Sequence, residues 1–167
     1  MKILFEKNAK KSEKIEELAS IFFEDISTLE SDLDVPIVIF QDGVNNSYYS
    51  KCHILASIAS KIIDLNAKIS TEDRESFRAN RELMLGHATY LRMKSDASKG
   101  REFNDIIVEY NIEYDKDKPL KVWGGQHRAR AISEAENLAN RYHGFKVYFN
   151  LNRNQRTEVA LISNTNM

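Results

Sequence analysis

The chain has 167 residues, 29% of them charged and 42% hydrophobic, with a net charge of −1. That length suits one domain with a sizeable core, or one domain plus a helical extension. The balance excludes a polycation, although Lys121–Met167 carries seven Lys/Arg against three Asp/Glu. A basic end on an acidic body suits an anionic ligand there, and ordinary solvated surface charge accounts for it equally well.

Cys52 is the sole cysteine, so an internal disulfide and multi-cysteine metal sites are excluded and a reducing, cytoplasmic setting is expected. The apolar run in Met1–Glu6 is too short for a signal peptide, and no stretch approaches a membrane span.

In chain order, Ile15, Leu18, Ala19, Phe22, Ile26 and Leu29 fall at helical spacing behind a Ser12 cap. Acidic residues follow (Glu30, Asp32, Asp34), then Pro36–Phe40 reads as a strand closed by Asp42-Gly43. Tyr48, Cys52, Leu55, Ala59 and Ile62 predict a second amphipathic helix with Cys52 on its buried stripe. A third helix is expected from Ser70, with Phe77, Met84, Ala88 and Leu91 on its apolar face, fraying into Ser95–Gly100. The first hundred residues therefore read as mainly helical.

The pattern then changes. Asp105–Tyr114 reads as a strand, Asp115–Pro119 as a polar turn and Leu120–Trp123 as a second strand. Ile132, Ala135, Leu138, Ala139 and Tyr142 predict a helix ended by His143-Gly144, with Gly144 as a left-handed cap. Phe145–Leu151 alternates as a strand, and Asn154–Asn164 restarts a helix. There is no internal repeat.

Leu120–Trp123 runs straight into Gly124-Gly125-Gln126-His127-Arg128-Ala129-Arg130. A strand, two glycines and a helix expose backbone N–H groups at the positive end of a helix dipole, where a phosphate can approach closely. Arg128 and Arg130 stand in the first turn, where cations are unfavourable unless an anion compensates. A plain tight turn with solvated arginines fits the same spacing. The segment is neither a P-loop nor a Rossmann fingerprint.

This stretch resembles the Gly-Gly-Cys-His-Arg signature of sulfiredoxins, the Gly-Glu-Arg-Arg box of ParB-type partition proteins and, most closely, the Asp-Gly-Gln-His-Arg signature of DGQHR-domain proteins. Ala160–Asn166 resembles the ParB segment Ala-Leu-Ile-Glu-Asn-Leu-Gln. The resemblance implies a ParB/sulfiredoxin-like core over 101–167, truncated at its C-terminus, behind a mainly helical region 1–100. The implied fold class is α+β, with a small mixed sheet and helices. It further implies a nucleoside triphosphate with Mg2+ as cofactor, DNA or a partner protein as further partners, and a role in DNA modification, a mobile element or phage defence.

The departures bear on chemistry. Gln126 stands at the sulfiredoxin nucleophile position, and an amide cannot attack a phosphorylated sulfinate. Ser163 replaces a glutamate of the ParB-like segment, while Asn164 is kept, so the resemblance leaves Asn164 as the candidate metal ligand. The expected phosphate site is Gly124, Gly125, Gln126, His127, Arg128 and Arg130. Gln126 either reads a base or ribose edge or caps the helix, and His127 either meets a phosphate or packs on the sheet. Arg128 suits bidentate phosphate contact, with a structural ion pair as its alternative. Trp123 reads as core rather than a base-stacking platform, and Arg153 and Arg156 as a solvated basic turn, with phosphate or DNA-backbone contacts as the alternative. An enzyme reading, a metal-dependent nuclease or NTPase, has Asp105 and Glu109 as its nearest carboxylates. A third reading is a protein-interaction module with a ligand-free pocket.

Overall fold

A computed structural model describes residues 2–67, 88–113, 115–135 and 140–165. Its elements are β1 (Ile3–Phe5), α1 (Glu13–Asp25), α2 (Leu29–Asp32), β2 (Ile37–Gln41), β3 (Tyr48–Leu55), α3 (Ala56–Ile62) and β4 (Ile63–Asp64). They continue with α4 (Ala88–Ser98), β5 (Ile106–Tyr110), β6 (Leu120–Gly124), α5 (Gln126–Glu134), β7 (Tyr142–Phe149) and α6 (Arg153–Thr165). The described strands form a seven-stranded mixed sheet in the order β1-β2-β3-β7-β5-β6-β4. The pairs β1–β2, β7–β5 and β6–β4 are parallel, and β2–β3, β3–β7 and β5–β6 are antiparallel.

Period-two alternation splits each strand between two cores. Cys52, Ile54, Val108, Val122, Phe145 and Val147 face a large core shared with Phe22 and Ala19 of α1, Ala59 of α3 and Ile132 of α5. Their neighbours Trp123 and Tyr148 face a smaller core under Val159 and Ala160 of α6. Both faces of the central strands are thus covered, and β6 is buried at all five positions.

Several expected elements stand. Ser12 caps α1, its side chain accepting from the Ile15 N–H at 3.3 Å. The strands at 37–41, 106–110 and 120–124 and the last helix lie where the periodicity put them. Leu29 does not extend α1; it opens a separate turn, α2, capped by Thr28.

Three expectations are corrected. Tyr48–Leu55 is not helical but the long strand β3, and helix begins only at Ala56. The buried residues of β3 are Ser50, Cys52 and Ile54. A polar Ser50 breaks the visible alternation, while Tyr48, Cys52 and Leu55 imitate a helical stripe. Likewise, α5 ends at Glu134, and Tyr142, His143 and Gly144 belong to β7, so Gly144 caps no helix. The first hundred residues also supply four strands of the sheet beside their helices, where only Pro36–Phe40 was expected to be a strand. The start expected for the third helix at Ser70, with Phe77 and Met84, lies outside the described residues, and Ala88–Ser98 is helical.

Candidate functional site: the turn between β6 and α5

The turn is built by two glycines that serve different needs. Gly124 ends β6 where α6 crosses: a Cβ there would lie 2.5 Å from the Ser163 Cβ and 3.1 Å from Ile107. Only a bare backbone lets helix and strand meet so closely. Gly125 is the N-cap of α5 at φ 81° and ψ 34°, the left-handed region, and supplies no capping side chain. The first helical bond runs from the Ala129 N–H to the Gly125 carbonyl at 2.8 Å. This bond sets the positive end of the helix at the glycines.

Arg128 folds back over this end. Its Nη2 would lie 2.6 Å from a Cβ at Gly125, and it donates to the Asp105 carbonyl at 3.0 Å. Its buried Nε has no hydrogen-bond partner among the described residues. Burial pulls the guanidinium below its ordinary range, and the Asp105 carboxylate offsets that only in part. A buried donor and a desolvated cation thus sit against a helix N-terminus whose cap residue has no side chain. An anion there would satisfy both.

The other expected residues divide. Gln126 is buried at the start of α5, and His127 lies 6.0 Å from the Tyr90 ring. Arg130 turns away from the glycines: its Nε donates to Glu134 at 3.0 Å and its guanidinium covers Tyr90 at 5.5 Å. Tyr90 in turn donates a short hydrogen bond to Glu134. This cluster ties α4 to α5. The side chain of Asn164 lies outside the described residues.

Two residues read differently in three dimensions. Glu109 is fully buried and accepts from Trp123 Nε1 at 3.0 Å, Arg156 Nε at 2.7 Å and Arg156 Nη2 at 3.0 Å. It is a structural carboxylate, and Arg156 is its half-buried partner rather than a solvated surface charge. Lys121, also fully buried, pairs with Asp64 at 3.2 Å. With Arg130 held by Glu134, three cations of the basic end are matched by carboxylates, so net charge overstated its pull on anions. Trp123 is core, as expected. Cys52 is fully buried, and burial above all raises its thiol well beyond the ordinary range, with Glu30 and Asp105 adding to the shift.

The donors around the turn suit phosphate better than a hard cation. A Mg2+ cage needs carboxylate or carbonyl oxygens. Here Glu109 is consumed by Arg156, and Asp105 lies 3.9 Å from the Lys51 ammonium.

No family model matches the chain, and no curated protein or solved structure matches it either. No helix among the described residues is long and apolar enough to cross a membrane.

Proposed function

We propose that the Gly124–Arg128 turn binds the phosphates of a nucleotide, in a ParB-like, DGQHR-type domain. That domain would serve DNA modification, a mobile element or phage defence. The observation that carries the phosphate site is Arg128: a half-buried guanidinium whose buried Nε has no partner among the described residues, folded across a left-handed glycine at a helix N-terminus. The family setting rests on the Gly-Gly-Gln-His-Arg and Ala-Leu-Ile-Ser-Asn resemblances. The contact between Gly124 and Ser163 supports it, because it brings the two resembling segments together. Gly124 and Gly125 admit the phosphates, Arg128 pairs with them, and Gln126 and His127 line the helix end. Arg130 takes a structural role through Glu134.

The test is thermal stability with CTP, ATP, GTP and UTP, with and without Mg2+. A ligand that binds only the folded state adds about 2.7 kcal/mol at a hundredfold excess over its Kd. The expected result is a rise in Tm with at least one nucleotide, abolished in Arg128→Ala. A flat response to all four would overturn the proposal.

A further inference from the structure

A cavity of about 530 Å³ opens at the same end of the sheet, lined among others by His53, Phe103, Asp105, Arg141, His143 and Gly144. One of its lining groups, His53, is held by Glu30. Glu30 accepts the His53 backbone N–H at 2.8 Å through one oxygen, and its other oxygen lies 2.7 Å from His53 Nδ1. A carboxylate only accepts, so Nδ1 carries the proton. Nε2 lies 4.0 Å from where a Gly144 Cβ would stand, and Asp105 Oδ1 lies 2.3 Å from the same point. Asp105 Oδ1 thus fills the space that a side chain at residue 144 would take, with His53 Nε2 beside it. Nearby, the Phe103 and His143 rings lie near-parallel, 17° apart with centroids at 6.5 Å. The cavity therefore offers acceptors and flat ring surfaces to a ligand that is planar and rich in donors.

Asp105 joins this cavity to the turn. Its carbonyl takes the Arg128 guanidinium, and its carboxylate faces Gly144. The strand order places β7 two strands from β6, about 10 Å at the usual strand spacing. That is the reach from the phosphates of a nucleotide to its base.

We propose that this cavity takes the nucleoside of the nucleotide bound at the turn, with Asp105 accepting from its N–H or ribose O–H donors and His53 hydrogen-bonding it through Nε2. The inference rests on the phosphate reading above. His53 is a positioned hydrogen-bonding group, and Glu30 is its positioning residue. Selectivity among nucleotides is set in the cavity and affinity for phosphate at Arg128.

The experiment is calorimetric titration of the wild-type chain, Asp105→Asn and His53→Ala with the four ribonucleoside triphosphates and with inorganic tripolyphosphate. The expected result is a loss of tenfold or more in triphosphate affinity in each variant, with tripolyphosphate affinity unchanged. Equal losses for both ligands, or none for either, would overturn the cavity. A 2′,3′-dideoxy triphosphate separates the sources: weak wild-type binding assigns the donors to ribose, and full binding assigns them to the base. If tripolyphosphate does not bind the wild-type chain, the phosphate reading has failed by itself. Free nucleosides then decide the cavity. Amide shifts at His53 and Gly144, lost in Asp105→Asn, sustain it, and their absence ends it.

Discussion

Arg156 of α6 grips the buried Glu109 of β5 with two nitrogens, Nε to Oε1 at 2.7 Å and Nη2 to Oε2 at 3.0 Å. Trp123 of β6 completes the carboxylate's shell from the adjacent strand. One ion pair therefore locks the last helix onto the two strands that lead to the glycine turn. Removing one partner of such a pair leaves an uncompensated buried charge, at a cost of about 3–5 kcal/mol. Arg156→Met should lower unfolding stability by that order in urea. The double variant Glu109→Leu/Arg156→Met should recover most of the loss, because neither charge is then stranded.

The two glycines should fail in different ways. Gly124→Ala drives a Cβ into Ser163 of α6, so overpacking should cost about 1–3 kcal/mol of stability. Gly125→Ala meets only the flexible Arg128 guanidinium and adds roughly 1 kcal/mol of left-handed strain. It should fold, yet lose the nucleotide-dependent rise in Tm, because Arg128 is displaced. Denaturant midpoints for both variants, with and without nucleotide, separate the two effects.

Stability should fall in acid through His143. Burial holds its imidazole below the ordinary range, with Glu102 pulling it up and Arg141 pushing it further down. The folded chain then takes up this proton less readily than the unfolded one. The contribution is complete above about pH 6.5, the unfolded value, and is lost as pH falls through the lower folded one. Urea midpoints between pH 7 and 5 should decline, and His143→Asn should flatten that slope.

At the alkaline end, Tyr90 and Tyr148 are each pushed up to about 12, chiefly by burial. Glu134 reinforces the shift at Tyr90, and Asp42 and Glu158 at Tyr148. Both folded values are raised, so this stabilisation is whole below about pH 10, the unfolded value, and drains away as pH rises toward 12. Phenolate absorbance should show a late-titrating component, and Tyr90→Phe and Tyr148→Phe should each remove part of it.

Local sequence determined the elements whose signals are complete within one segment. Ser12 with Ile15, Ala19 and Phe22 specified α1, and the alternation in Phe145–Phe149 specified most of β7. The two glycines between a strand and a helix marked the turn, because backbone freedom is a property of the residue itself. Tertiary structure decided the rest. Tyr48–Leu55 became a strand because β7 pairs with all eight of its residues, outweighing a helical spacing softened by Ser50. Lys121 became buried and Arg156 partly so because Asp64 and Glu109, 57 and 47 residues away, arrived to neutralise them. Asp105 came to link turn and cavity in the same way. No local pattern records such pairings, since a charge is stable in a core only when a distant partner is folded against it.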